Sequence, residues 1–319
     1  MRITTARAQG LRGLLKARSA ARAAVSPSGA PVPATVIGWS MRAAVALMLA
    51  SCSATRIGYD NADTAVRFWA SHYLDLDAAQ SDDLKPRVAS FHRWHRSSEL
   101  PAYAALLHSA SQRAARGITT EDVAWGISNV RARMRKFGAK AAEDAAPVLA
   151  TLAPAQIVSL EHKFAEDNEK YAKEYLSADD ARRRKAQLKR GLKQFRDFTG
   201  DLTPDQEGRI ERFVLAHERH VELRFEDRLH WQHDFIALLR EHRPSRELGA
   251  RLAERSAKPE LRRSDEFLRE EKRWDEDLGL LIVDLDRTLT ARQRASVVER
   301  LQKYAEDAEV LAAKKVEGA

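Results

Sequence analysis

From residue 52 onward, apolar residues return every three or four positions. Ile157, Leu160, Phe164, Tyr171 and Tyr175 share one face, as do Leu188, Leu192 and Phe195. Ile210, Phe213, Val214 and Val221 repeat the pattern, then Leu229, Ile236 and Leu239, and finally Val297, Leu301, Tyr304 and Ala308. This period marks amphipathic helices, and no stretch sustains the alternation of a strand. Each apolar stripe needs a neighbour to cover it, so the helices must pack on one another.

Breaks fall near Pro101, Gly117, Pro154, Ser177, Gly200, Pro244 and Pro259. The pattern predicts an all-α fold, an extended multi-helix bundle of about eight to ten helices forming one domain over 52–319. The segment 203–243 reads as the longest helix, and residues 312–319 as a fraying end.

One short pattern recurs at helix starts: Leu76-Asp77-Ala78-Ala79-Gln80, Leu152-Ala153-Pro154-Ala155-Gln156, Leu202-Thr203-Pro204-Asp205-Gln206 and Leu289-Thr290-Ala291-Arg292-Gln293. A side chain at the N-cap accepts a backbone N–H, Pro suits the first helical position, and Gln three residues on reaches back. Leu152/Ile157, and Ile118/Val123 around Thr119, have the spacing of a hydrophobic staple. The intervals between the four starts are irregular, so they read as helix punctuation rather than a solenoid repeat.

Composition narrows the class. Charged residues make up 31% of the 319 and mean hydropathy is −0.49, which excludes a polytopic membrane protein. Hydrophobic residues at 44% exclude wholesale disorder, and one cysteine excludes a disulfide framework or a Cys-based zinc site.

Residues 1–51 stand apart, with Arg2, Arg7, Arg12, Lys16, Arg18, Arg22 and Arg42 and no acidic residue. An apolar run, Ala43 to Ala50, closes them and is too short to span a bilayer. A basic start, a short apolar core and small residues before a cut describe a disordered export segment. Residues 1–35 are long for that role and are read as a start placed upstream, with translation beginning near Val36 or Met41. An Arg-rich, acid-poor leader also describes mitochondrial import, the rival address.

Leu49-Ala50-Ser51-Cys52 resembles the bacterial lipobox, at the right distance behind the apolar run. The resemblance implies a diacylglyceryl group on the Cys52 thiol, cleavage before that residue and acylation of its new amino group. The thiolate is the nucleophile that accepts lipid, and several acyl chains give stable anchoring where one does not. By the same resemblance, Ser53 in place of Asp favours the outer membrane, with the protein facing the periplasm.

The export segment also changes the charge. The whole chain has 54 Lys and Arg against 46 Asp and Glu, a net +8 that by itself suggests nucleic acid. Taking away the seven basic residues of 1–51 leaves 47 against 46, a net of +1. Nucleic acid is therefore not favoured as a partner. Arg182, Arg183, Arg184, Lys185, Lys189 and Arg190 remain as a candidate anionic contact, against the commoner role of a solvated helix face.

Three H-x-x-H pairs, His92/His95, His217/His220 and His230/His233, put two imidazoles on one helical face. With Asp227, the residues His217, His220, His230 and His233 form the candidate metal set. No third ligand is fixed by spacing, H-E-x-x-H is absent, and His217 falls on an apolar stripe where a core histidine is common. No G-x-S-x-G, P-loop or dinucleotide fingerprint appears, so the expectation is no enzyme and no cofactor beyond the covalent lipid. Phe68, Trp69, Tyr73, Phe91 and Trp94 follow the anchor closely. Their default role is packing of the first helices, and a partly exposed set would suit a membrane interface.

Tyr59-Asp60-Asn61, Trp69, Tyr73-Leu74-Asp75-Leu76, Gln80, Trp94-His95-Arg96, Glu99-Leu100-Pro101 and Tyr103 form a pattern spread over the first helices. Together with the Leu-Thr-Pro-x-Gln start, it is similar to an uncharacterised lipoprotein family of Gram-negative bacteria, a domain of unknown function. The resemblance covers most of 52–240 and leaves 245–319 less distinctive. It implies an all-helical, exported, lipid-anchored protein and brings no catalytic residues. The helix starts also resemble those of small periplasmic helical chaperones. The leading expectation is an interaction or structural module bound to an envelope protein, with client binding of a chaperone kind and histidine metal binding as alternatives.

Overall fold

The computed structural model describes residues 52–314, with side chains from Arg56 onward; Leu49, Ala50 and Ser51 of the lipobox lie outside the described residues. Helices α1 (Cys52–Asp60), α2 (Ala62–Leu74) and α3 (Ala78–Trp94) lead into a π-helical turn, His95–Glu99. Helices α4 (Leu100–Arg116), α5 (Thr120–Leu149) and α6 (Pro154–Tyr175) follow, then α7 (Asp180–Thr199), α8 (Pro204–Ala216) and α9 (Glu218–Arg240). Helix α10 (Ser245–Ala257), a 3-10 turn (Pro259–Arg262), α11 (Asp265–Thr288) and α12 (Ala291–Ala313) complete the described residues, and most of the expected fraying end, 315–319, lies outside them. The described residues hold no strand, as the periodicity predicts.

The segment 203–243 is not the longest helix, because the chain turns at His217, which ends α8 and starts α9. That place belongs to α5, with 30 residues. Its start is fixed by Thr119, whose hydroxyl accepts from Asp122 N while Asp122 accepts from Thr119 N.

The most extensive pairings are α5 with α10 and α4 with α12, so the last helix returns to the first third of the chain. Small residues permit the first of these. A Cβ added at Gly249 would stand 3.1 Å from the Ala146 Cβ, and one at Gly138 would stand 3.0 Å from the Ser256 Cβ. The main core gathers Tyr73 and Leu74 of α2, Ile157, Leu160 and Phe164 of α6, Phe235, Ile236 and Leu239 of α9, and Leu248 and Leu252 of α10. Full burial of such a side chain contributes about 1.5–3 kcal/mol. Leu152 and Ile157, the expected staple, both lie inside this core. Leu229, assigned by spacing to the same face as Ile236 and Leu239, is instead exposed, because α9 packs against both α6 and α11 and its buried face shifts along its length.

The four helix starts do more than punctuate. Gln80 Nε2 donates to Gln156 Oε1 at 3.2 Å and Gln156 Nε2 donates back to Gln80 Oε1 at 2.7 Å. Gln206 and Gln293 exchange the same pair of bonds at 3.1 and 2.8 Å. Each clasp also holds the carbonyls of the facing turn: Gln80 on Thr151 and Gln156 on Asp75, then Gln206 on Thr288 and Gln293 on Asp201. Two turns per clasp, distant in sequence, are thereby tied end to end.

Candidate functional site

The π turn is a consequence of Pro101. Proline has no N–H to donate and its ring presses on the carbonyl four residues back, so the ladder cannot continue as an α-helix. The backbone widens by one residue, and Leu100 N donates to His95 O instead. The wider turn sends His95, Arg96 and Glu99 inward together, and Glu99 is 0% exposed.

Each of the three finds partners from another element. Tyr59 of α1 shares a hydrogen bond with His95, Oη to Nδ1 at 2.9 Å. Arg96 donates to Leu311 O at the end of α12 (2.8 Å) and to Asp60 of α1 (3.2 Å). Lys136 of α5 reaches Glu99 Oε1 at 2.6 Å, and Arg133 approaches its other oxygen at 3.5 Å. Phe137 and Tyr103 stand edge-on to the His95 ring at 5.8 and 5.5 Å. Arg56 completes the attachment of α1 through Asp307, at 2.6 Å.

Burial sets the protonation states. It drives His95 down to about 4, only partly opposed by the Glu99 carboxylate, so the imidazole is neutral. Burial also raises Tyr59 well above the ordinary phenol range and pushes Tyr103 up to about 12. The neutral His95 imidazole is bonded to a protonated phenol and one Glu99 oxygen is held by Lys136, while Glu99 Oε2 and Arg96 Nε are buried without a hydrogen bond. Chemically this is a fastening node joining α1, α4, α5 and α12.

The other candidates are scattered. Cys52 is the first residue of α1. His217 and His220 are buried, His217 against Asp277 (3.1 Å) and Phe213, and His220 stacked on Trp274 at 5.4 Å. Asp227 faces Arg263 (3.4 Å), His230 is exposed, and His233 points to solvent beside Asp234. The five proposed ligands therefore do not converge. Among the described residues, no three His, Cys, Asp or Glu side chains stand close enough to share an ion.

The basic run of α7 divides. Arg183 and Arg184 bind Glu218, and Arg190 lies over the Tyr175 ring at 5.2 Å. Arg182, Lys185 and Lys189 face solvent. The aromatic group behind the anchor divides too. Trp69 and Tyr73 stack in the core at 4.6 Å, Phe91 and Trp94 flank the π turn, and Phe68 is 75% exposed. In the sequence His95 stands out as half of an H-x-x-H pair, and Arg96 and Glu99 only as part of the family-like pattern. Pro101 behind a Glu was the available signal for a widened turn.

A groove between the α4–α5 turn and α11 is lined by Ile118, Thr119, Leu281, Asp284 and Arg287. None of the candidate site residues contributes to it. No helix of the described residues is long and apolar enough to cross a membrane.

The model of a family of unknown function, DUF6279, matches residues 72–268, which span the π turn, the first glutamine clasp and α3 to α10. The match reaches past residue 240, so part of the less distinctive C-terminal segment carries the family pattern as well. No curated protein and no solved structure matches the chain. With well over half of its length matched, this chain belongs to the family of unknown function DUF6279.

Proposed function

We propose that the protein is a lipid-anchored helical module of the bacterial envelope, exported, held by Cys52 at the inner face of the outer membrane, and acting through contacts with an envelope partner rather than through catalysis. The observation that carries this reading is Leu49-Ala50-Ser51-Cys52 behind a short apolar run, with the chain's single cysteine opening the first helix of the bundle. The π-turn node supports it, since Tyr59–His95, Arg96–Leu311 and Lys136–Glu99 bind neighbouring helices together. Acyl chains attached at a thioether and an amine would make the anchoring stable.

The test is metabolic labelling with a tagged fatty acid in a Gram-negative host. Label should enter the wild-type chain and be absent from Cys52→Ala. Label persisting in that variant would place the lipid elsewhere and sink the reading.

A further inference from the structure

Helices α1 and α2 run almost as one rod, because the hydrogen-bond ladder passes through the residue between them: Asn61 N donates to Ile57 O (3.2 Å) and Ala65 N to Asn61 O (3.0 Å). Residues 57, 61, 64, 65, 68 and 72 follow helical spacing and share the outward face of this rod. All six are exposed, Ile57 at 63% and Phe68 at 75%. Gly58 beside them has open space where a Cβ would stand.

That face carries no Asp, Glu, Lys or Arg, in a chain where such residues make up 31%. The charged residues of the rod lie on its other sides and are spent internally. Arg56 pairs with Asp307, Asp60 with Arg96 and Lys314, and Asp63 with Arg67. The result is a strip about 22 Å long at the rise of an α-helix that bears no carboxylate, ammonium or guanidinium group. It presents Ile57, Ala65 and Phe68 among Asn61, Thr64 and the imidazole of His72 at its far end.

We infer that this strip is the surface on which the protein rests against the lipid bilayer, with Ile57 and Phe68 entering the boundary between head groups and acyl chains. The inference rests on the anchoring proposed above and deepens it. Ile57 stands five residues after the lipid-bearing cysteine on the same helix, within about 8 Å along its axis, so an anchored chain brings this face to the membrane before any other. Seating it strips water from no carboxylate, ammonium or guanidinium group, and a phenylalanine ring suits the interfacial layer. The anchor would then orient the bundle as well as hold it.

The test uses the full chain from a Gram-negative host, in which the lipid consumes the Cys52 thiol and a new cysteine is the only free one. Phe68→Cys is labelled with an environment-sensitive fluorophore. The protein is placed in vesicles of phosphatidylethanolamine and phosphatidylglycerol, with and without bromine on the acyl chains. Leu261→Cys, 70% exposed and distant in sequence, is the control. Mass spectrometry verifies the lipid, and circular dichroism verifies the fold. The label at 68 should shift to the blue and lose most of its emission to brominated lipid, while the label at 261 keeps its own. Lipidated, vesicle-bound protein whose label at 68 stays bright would overturn the inference and leave the anchor standing, as would equal quenching at both positions. A chain without lipid that stays off the vesicles would instead overturn the anchor, and this inference with it.

Discussion

Gln206 and Gln293 face each other with their amides exchanged, at 3.1 and 2.8 Å, although 87 positions separate them in the chain. Gln206 is fully buried and also caps its own helix by accepting from Thr203 N at 2.9 Å. Gln206→Met keeps the volume but removes the cap, the bond to the Thr288 carbonyl and the partner of Gln293. It should cost about 2–4 kcal/mol, read by urea unfolding. The double variant with Gln293→Met should cost less than the sum of the two, because the second substitution removes a group already stranded. Strict additivity would show that the amides do not bond in solution.

Glu99 gives an asymmetric expectation. Its carboxylate is wholly buried, while the side chains of its partners Lys136 and Arg133 are 48% and 36% exposed. Glu99→Gln frees two cations that already touch water and should cost about 1–2 kcal/mol. Lys136→Met with Arg133→Met strands a buried negative charge and should cost about 3–5 kcal/mol. Chemical denaturation of the two variants checks the order.

His95 sets a pH dependence. Burial holds it at about 4 in the folded protein, against 6.5 in the unfolded chain, so between these values the unfolded chain binds the extra proton. Its share of stability is complete above pH 6.5, falls as pH drops through that value, and levels off below pH 4. The expected loss is about 3 kcal/mol at 1.36 kcal/mol per unit. His92 and His217 are lowered in the same direction, chiefly by burial, and add to the slope. Asp227 and Asp275 are raised by burial and oppose it at the acid edge. Urea midpoints between pH 7.5 and 4.5 should fall steeply for wild type and less steeply for His95→Gln.

Gly191 lies where α7 meets α8, and a Cβ there would come within 2.8 Å of Val214 Cγ2. Alanine favours helix by about 1 kcal/mol over glycine, yet overpacking costs about 1–3 kcal/mol. Gly191→Ala should therefore destabilise the protein in a thermal melt. In a Val214→Ala background, which clears the space, the same change should be neutral or stabilising.

Much of this fold was legible along the chain because its signals are local. Spacing marked Ile157, Leu160 and Phe164 as core, and Thr203 with Gln206 as a helix start, since both depend only on residues within a turn or two. The partner of Gln206 was not legible: four equivalent starts allow three pairings, and only the packing of α8 against α11 selects Gln293. Glu99 was hidden for a related reason. A glutamate in a polar stretch reads as surface, and its burial follows from the widening that Pro101 imposes and from cations on α5. The exposed strip of α1 and α2 was blurred by its neighbours, because Phe68 and Trp69 are adjacent in sequence yet about 100° apart around the helix, one in solvent and one against the core.

The proposed anchoring depends on Cys52, and the intact mass of the mature protein tests it most directly. Membrane-fraction protein from a Gram-negative host should begin at Cys52 and carry the added mass of a diacylglyceryl group and an amide-linked acyl chain. A mature chain with an unmodified Cys52, or one whose first residue lies upstream of it, would contradict anchoring at this cysteine.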